Sequence, residues 1–221
     1  MPPLIDRTLL RARVPPIPRF HHLEYDPPPS LNTSTSLGPN THKPSTVSVF
    51  KITQNQLNTL KAKSWEHGNK TNYSTYIILA AYIWRCATKA RGLSYDQPTK
   101  LNMPINGRPR LHPPSYQPLN YLETLPDITA ARRKPDTYQC PNLNINKRTR
   151  LSTYDADFGW GRPIYMGPAK VVHEGKLYIL SCPTDDGSLS VVACLQTAHM
   201  KLFEKHLYEG LKSFDKIKAR Y

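Results

Sequence analysis

Apolar positions along the chain follow, in turn, the spacing of strands and the spacing of helices. The first ordered element begins at Val47, where a short apolar run that ends at Ile52 predicts a strand. Thr53 then has the character of a helix N-cap, and Gln56, three residues on, completes a capping box. The apolar stripe that follows predicts a first helix that ends near Gly68.

A second helix is predicted to begin at Asn72 or Ser74 and to close with Lys89, Arg91 and Gly92. Its apolar face is wide and contains Ile77, Leu79, Ala80, Ile83, Trp84 and Ala87. Helical spacing over such a width indicates a helix that packs against a sheet or another helix.

The rest of the chain gives weaker signals and then a clear one. Thr99 to Ile105 predicts a strand, and Tyr121 to Ala131 predicts a proline-interrupted helix. An antiparallel meander and a final amphipathic helix, about His199 to Leu211, are expected in the last third. The three predicted strands of the meander are Ala169–His173, Leu177–Ser181 and Ser188–Leu195. Together these elements indicate an α/β domain with mixed or antiparallel pairing.

Residues 1–46 lack this periodicity and hold ten of the chain's 22 prolines. Each proline fixes φ and removes a backbone donor, so a packed unit is not expected here. The sequence therefore predicts a Pro-rich linker over residues 1–46 and an α/β domain over residues 47–221.

Composition narrows the class of protein. The 221 residues contain no run of 18 apolar residues, which excludes a membrane-spanning helix, and the first residues lack the apolar stretch of a secretory signal. Four cysteines without a CxxC pair favour reduced thiols in the cytoplasm over disulfides or a zinc site.

The net charge of +14 comes from 30 Lys and Arg against 16 Asp and Glu. A polyanionic partner is one explanation, and loss of acidic surface from a longer protein is another. The basic residues are scattered, and no nucleic-acid-binding motif accompanies them. Counterion release would give only weak, salt-sensitive affinity, so nucleic acid is not the expected partner.

Other candidate chemistry along the chain is weak. His22 and Asp26 match HxxxD, but three prolines follow, and a general base needs a fixed position. An exposed linker histidine is the simpler interpretation. His199 and His206 share a predicted helix face without a third ligand, so no metal site is predicted. No serine or cysteine nucleophile motif occurs.

Residues 155–161 are the most distinctive segment, with two acids, two glycines and two aromatic residues. The glycines allow positive φ or close approach of another segment. Phe158 and Trp160 are expected to bury large areas that lock a loop, and Asp157 is expected to hold it through an ion pair. Direct action of Asp157 on a substrate is the alternative.

The chain resembles the BAHD plant acyltransferases, whose DFGWG signature it carries as Asp157-Phe158-Gly159-Trp160-Gly161. Further segments that fit are Ile5–Arg13, Ala80–Gly92, Arg162–Pro168, Asp186–Val191 and His199–Phe203. The resemblance covers almost the whole chain and is greatest to the shikimate/quinate hydroxycinnamoyltransferases.

The resemblance implies a chloramphenicol-acetyltransferase-like, two-layer α/β domain with a mixed or antiparallel sheet, the C-terminal one of two. It also implies transfer of a hydroxycinnamoyl group from acyl-coenzyme A, a co-substrate, to a shikimate- or quinate-like hydroxyl, with no permanent cofactor or metal. Asp157 and Trp160 of the signature would then be mainly architectural, as would Phe158, Gly159 and Gly161. Arg150 occupies the position of an arginine that binds the acceptor's carboxylate.

Three departures from the family are visible. The chain begins after the family's catalytic histidine, and His22–Asp26 would lie in the crossover between domains. A few dozen family residues are missing at the Asn120–Tyr121 junction. Asn146-Lys147-Arg148 replaces a threonine-serine-tryptophan run. We therefore expect this chain alone to be inactive, or to act as an interaction protein that docks onto a full-length homologue.

Overall fold

The structure is a computed structural model that describes residues 14–15, 17, 21, 26–31, 43–65, 71–104, 139–149, 151, 154–171, 173–184 and 186–212. The chain divides into two units, of which the first comprises Met1–Pro28 with Pro104–Thr137 and the second Pro29–Met103 with Tyr138–Tyr221. In the first unit, His21 Nε2 and Asp26 Oδ2 lie 3.0 Å apart and are partly exposed.

The second unit contains a sheet and helices. In chain order its elements are β1 (Ser45–Ile52), α1 (Gln54–Trp65), α2 (Thr75–Ala90), β2 (Leu101–Asn102), β3 (Leu143–Arg148), β4 (Lys176–Ser181), β5 (Leu189–Gln196) and α3 (Thr197–Glu209). The strand order is β1-β5-β4-β3-β2, with β5 antiparallel to both neighbours and β3 parallel to both of its own. The predicted α/β class with a mixed sheet is confirmed.

Local capping signals set where the first two helices begin. Thr53 donates its N–H to Gln56 Oε1 at 2.8 Å, and Gln56 donates its N–H to Thr53 Oγ1 at 3.3 Å. Ser74 Oγ accepts the N–H of Ile77 at 3.3 Å. The predicted capping box is therefore confirmed, and of the two candidate starts of the second helix, Asn72 and Ser74, the structure has Ser74 as the N-cap.

The three helices pack on one face of the sheet and enclose the main core. Tyr82 of α2 donates to the carbonyl oxygen of Leu207 in α3 at 2.7 Å, and Tyr76 donates to that of Ile145 in β3 at 2.9 Å. Burial raises the pKa of Tyr76 to about 12, so its hydroxyl stays a donor at neutral pH. Fully buried residues between the layers include Ile52, Leu79, Ile83, Leu143, Ile145, Ile179, Val191 and Phe203. This is a two-layer domain.

We call the opposite side of the sheet the outer face. Side chains alternate across a strand, so Asn144, Asn146 and Arg148 lie on this face while Leu143 and Ile145 lie in the core. A second, smaller apolar cluster lies on it, made of Tyr178, Leu180 and Val192 with Val171 packed against them.

The predicted meander is wrong in one strand. The described part of Ala169–His173 forms no strand, because Val171 packs over the outer face and the neighbouring position beside β4 is occupied by β3. The predicted strand Thr99–Ile105 reduces to the two residues of β2 within the described range. The predicted helix Tyr121–Ala131 and the Asn120–Tyr121 junction lie outside the described residues.

A buried polar cluster joins α2 to the points where β3 and β4 begin. Arg91, the C-cap of α2, donates to the carbonyl oxygens of Pro141 and Asn142 at 3.1 and 3.0 Å and pairs with Glu174. Glu174 also accepts the N–H of Cys140 at 2.7 Å. These contacts pair the two buried charges and several backbone groups, while Arg91 Nε has no hydrogen-bond partner within the described residues.

Candidate functional site

Residues 154–166, which include the DFGWG pentad, form a loop that we call the Asp157 loop. Its ends are joined by Tyr154, whose hydroxyl accepts the N–H of Met166 at 3.1 Å and lies 3.5 Å from the Met166 carbonyl oxygen. The side chain of one residue thus closes a segment that lacks strand or helix hydrogen bonds within its described residues.

Asp157 folds the interior of this loop. Its Oδ1 atom accepts the N–H groups of Gly159 at 2.8 Å and Gly161 at 3.1 Å. Both glycines have positive φ, +94° and +91°, where a side chain would be strained. Asp157 makes no ion pair within the described part of the chain, where backbone amides are its partners.

The aromatic residues of the loop point to solvent. Phe158 is 83% exposed and Trp160 is 94% exposed, so the expectation that they lock the loop by burial is wrong. The hydrogen bonds of Asp157 and Tyr154 hold the backbone without them. Ile164 and Tyr165 are also exposed, which leaves one segment with several large apolar side chains in water.

A small cavity separates the Asp157 loop from the outer face of the sheet. It has a volume of about 90 Å³, and its walls include Arg148, Leu151, Tyr154, Met166, Pro168 and Leu180. Tyr178 and Ser181 also contribute to the lining. The described lining therefore combines a cation, hydroxyl groups and apolar side chains, which is the usual character of a small-molecule subsite.

Tyr178 lies between two cations at the edge of this cavity. The guanidinium carbon of Arg148 is 5.5 Å from the ring centroid, and Lys176 Nζ is 5.6 Å from it. Neither Arg148 nor Lys176 forms an ion pair with a described acidic residue. The outer face is thus positively charged next to an apolar recess.

The sequence and the fold of the chain are similar to those of known proteins. The model of the Transferase family matches residues 1–122 and 119–210. Shikimate O-hydroxycinnamoyltransferase of Nicotiana tabacum is 45% identical over 256 residues, which cover 95% of this chain and 59% of that protein. Rosmarinate synthase of Plectranthus scutellarioides is 37% identical, with 94% of this chain and 58% of the relative covered. The chain belongs to the BAHD acyltransferase family.

Solved structures confirm the fold of this BAHD chain. TRI101 of F. sporotrichioides, complexed with coenzyme A and T-2, matches with a TM-score of 0.60 at 18% identity, covering 89% of this chain and 55% of that one. Vinorine synthase matches with a TM-score of 0.54 at 17% identity, covering 76% and 49%. The expected chloramphenicol-acetyltransferase-like domain is therefore confirmed. The chain spans less than 60% of the length of the relatives it matches in sequence.

Two predicted residues of the BAHD chain lie outside the described part. Arg150, predicted to bind an acceptor carboxylate, is one of them, although its neighbour Leu151 lines the cavity. His22 of the HxxxD match is the other. Their roles stay predictions, as does a direct catalytic role of Asp157 or Trp160.

Arg148 is the residue that the sequence interpretation missed. The signal that reveals it is the alternation along β3, which puts Asn144, Asn146 and Arg148 on the outer face. Asn146 donates to the side-chain oxygen of Asn144, so the amides of this row bond each other and Arg148 stays unpaired among the described residues. Of this row, Arg148 is the residue that lines the cavity.

The remaining candidate groups are the cysteine thiols and the side chains that could bind a metal. Burial raises the pKa of the thiols of Cys86, Cys140 and Cys194, which keeps them protonated and unreactive near neutral pH. All four cysteines are free. No group of three metal-ligating side chains occurs among residues that the structure describes.

His199 lies near the buried Arg91–Glu174 pair. Its Nδ1 atom is buried and has no hydrogen-bond partner within the described segments. Burial lowers the pKa of His199, the positive charges of Arg91 and Lys43 lower it further, and the negative charge of Glu174 opposes them. The ring is therefore neutral near pH 7 and is placed beside a structural cluster.

Proposed function

We propose that this chain is the C-terminal part of a BAHD hydroxycinnamoyltransferase. The complete enzyme would move a hydroxycinnamoyl group from a coenzyme A thioester to a hydroxyl group of a shikimate- or quinate-like acceptor. The observation that carries this proposal is the 45% identity to the tobacco shikimate O-hydroxycinnamoyltransferase over 95% of the chain.

The chemistry explains why we expect the chain alone to be inactive. The acceptor hydroxyl must lose a proton as it attacks the thioester carbonyl, and that step needs a positioned general base. The 221 residues contain no HxxxDG sequence, the family's form of that base. The outer face would then supply acceptor binding, while the base would come from a second segment. Positive charge on the chain would favour the phosphates of coenzyme A.

The domain division belongs to the same proposal. Residues 1–46 would be the crossover linker, and residues 47–221 a C-terminal domain shortened near the 120–121 junction. The two pieces of the family match, residues 1–122 and 119–210, meet at this junction and support the shortening. The start of β1 at Ser45 supports the linker boundary.

A complementation experiment tests the enzyme proposal. Hydroxycinnamoyl-CoA turnover with shikimate is measured for the chain alone and for the chain mixed with the N-terminal part of the tobacco relative. We expect turnover only in the mixture. Turnover by the chain alone at the rate of a full-length enzyme would overturn the expected inactivity. The absence of turnover in the mixture would count against the hypothesis that the chain is part of an enzyme.

A second candidate function is favoured by the exposed apolar side chains of the Asp157 loop. A non-catalytic role, docking onto a full-length homologue through Phe158, Trp160 and Ile164, would cover them. Light scattering of the chain with the full-length tobacco relative separates the two candidates, because a complex without turnover supports docking and the absence of a complex opposes it.

We also propose a cellular location for the chain. No helix among the described residues is long and apolar enough to cross a membrane. The four free cysteines support a reducing compartment, and we place the chain in the cytoplasm. Fractionation of cells that express a tagged chain tests this.

A further inference from the structure

We propose that two copies of this chain pair through β1, antiparallel and about a twofold axis at Ser48, so that their five-stranded sheets become one continuous sheet. The partner of the free edge of β1 is thus a second copy of the chain. The pairing uses no residue of the Asp157 loop or of its cavity, and it does not depend on acyl transfer.

β1 lies at the edge of the sheet, with β5 on one side of it. Thr197 donates its N–H to the carbonyl oxygen of Pro44 at 2.9 Å, and this bond continues the register of β1 with β5. Because backbone groups alternate between the two sides of an antiparallel strand, every second residue of β1 directs its N–H and C=O groups away from β5. These residues are Ser45, Val47, Val49 and Lys51.

The hydroxyl of Tyr208 marks this free edge. It donates to the carbonyl oxygen of Lys51 at 3.4 Å from α3, which lies outside the sheet. The N–H groups of Val47 and Val49 have no hydrogen-bond partner within the described residues. A row of such groups on an exposed strand is a template for pairing with another strand.

The edge lacks the features by which proteins usually prevent such pairing. The eight residues of β1 include no proline, and they pair with β5 one to one without a bulge. The charge of Lys51 is offset by Asp186, whose Oδ2 atom lies 3.6 Å from Lys51 Nζ. Val47 and Val49 are 45% and 52% exposed, so the edge carries apolar side chains on the outer face. The strand therefore has the character of an interface.

A second copy fits this edge because the free residues are arranged symmetrically about Ser48. Val47 would lie opposite Val49 of the second copy, and β-branched residues on facing strands stabilise a pair. Ser45 would lie opposite Lys51 of the second copy, so no like charges meet. These pairs, each occurring twice, would form roughly eight backbone hydrogen bonds. The opposite edge strand, β2, has two residues and is too short to pair along β1.

The net charge of the chain predicts how salt acts on this dimer. Two copies that each carry +14 repel one another, and added salt screens that repulsion. Backbone hydrogen bonds and contacts between valines are not weakened in this way. The dimer should therefore tighten as the ionic strength rises, whereas an interface that ion pairs hold would loosen.

Sedimentation equilibrium of the intact chain, over a range of protein concentrations and at low and high salt, tests the pairing. We expect a monomer–dimer equilibrium whose Kd is lower at high salt. Val49→Lys should raise the Kd about tenfold or more, because a cation would replace an apolar contact at the edge. Val49→Pro should do the same, since it removes an N–H group that β5 does not use.

Leu202→Lys is the matched control. Leu202 is 47% exposed on α3, so this change adds the same charge at a similarly exposed apolar position away from β1. It should leave the Kd unchanged, and circular dichroism shows whether each variant keeps its fold. Equal weakening by Val49→Lys and Leu202→Lys would show that overall charge sets the association and would overturn the inference.

Ser48→Cys tests the register and does not require the edge to be weakened. At the twofold axis the two residues form a non-hydrogen-bonded pair, with Cα atoms about 4.5 Å apart, which is within reach of a disulfide. We expect a covalent dimer when this variant is oxidised. Ser45→Cys is its control, because the two thiols would then lie about 20 Å apart. The wild type, with four free cysteines, shows the background.

The remaining outcomes are also decisive. A monomer at every concentration, a dimer that both Val49 variants leave intact, or a dimer that salt weakens would each overturn the inference. So would a covalent dimer that forms as readily in Ser45→Cys as in Ser48→Cys. None of these measurements involves turnover, so the failure of the complementation experiment would leave the dimer in place.

Discussion

Arg91 Nη2 and Glu174 Oε1 lie 2.6 Å apart, with their side chains only 1% and 10% exposed. The two residues come from the end of α2 and from the turn before β4, and the fold alone brings them together. Removing one partner of a buried pair leaves a charge without compensation. This pair therefore holds the helix layer against the strands that carry the candidate site.

Arg91→Ala is expected to lower the free energy of unfolding by about 3–5 kcal/mol, because Glu174 would stay buried and unpaired. Urea unfolding followed by circular dichroism measures the loss. Glu174→Gln should cost less because it keeps a hydrogen-bond acceptor for the N–H of Cys140.

The control for this pair is Lys205→Ala. Lys205 Nζ and Glu209 Oε1 lie 4.0 Å apart with side chains 63% and 49% exposed, and such a pair contributes less than about 0.5 kcal/mol. A similar loss from Arg91→Ala and Lys205→Ala would contradict the structural role of Arg91.

His199 predicts a pH dependence of stability. Its pKa is lowered in the folded chain by burial and by Arg91 and Lys43, against the opposing charge of Glu174. The unfolded chain therefore binds a proton more readily, so His199 stabilises the fold above its ordinary pKa of about 6.5. That contribution is lost as the pH falls below about 6.5 toward the lowered folded value.

The measurement is the urea midpoint at pH 7.5 and pH 5.5 for the wild type and for His199→Gln. We expect the variant to lose less stability on acidification than the wild type. His206→Gln, on the same helix, controls for the removal of a histidine. An identical change in the urea midpoint between the two pH values for the wild type and for His199→Gln would refute a role of this ring.

The predictability of each element follows from how local its signal is. Ser74 and the Thr53–Gln56 capping box were predictable, because a cap depends on residues three or four positions apart. The strand β3 was missed, since four of its six residues are polar and its partner β4 lies about 30 residues along the chain. Long-range parallel pairing leaves little trace in a local window.

In the candidate site, too, only the features with a local sequence signal were predictable. The structural role of Asp157 was predictable from two glycines within four residues of a carboxylate, although its partners are amides instead of a cation. The exposure of Trp160 was not predictable, because burial depends on which distant segments cover a loop. The Arg148 cavity likewise requires β3, β4 and the loop together.

Asp157→Ala is expected to loosen the Asp157 loop without unfolding the domain. The N–H groups of Gly159 and Gly161 would lose their acceptor, and their hydrogen exchange should quicken about tenfold or more. Global stability should fall by less than about 1.5 kcal/mol, since the carboxylate is exposed. Amide exchange measured by NMR checks both.

Asp155→Ala is the matched control for that change. Asp155 is an exposed acid two residues away without a hydrogen bond inside the described loop. This change should leave the hydrogen exchange of the Gly159 and Gly161 N–H groups unchanged. Unchanged exchange in Asp157→Ala would mean that other contacts fold the loop.

Trp160→Ser tests whether the exposed rings of the Asp157 loop serve association. The indole is 94% exposed, so its removal should change the free energy of unfolding by less than about 0.5 kcal/mol. If the ring docks onto a partner, the same change should weaken the complex with the N-terminal part of the tobacco relative about tenfold or more, because aromatic anchors dominate interfaces.

Tyr95→Ser is the control, because it removes an equally exposed ring outside the loop and should leave the complex intact. Light scattering and calorimetry on the two variants separate the cases, and equal affinity of both for the partner would show that the loop does not form the interface.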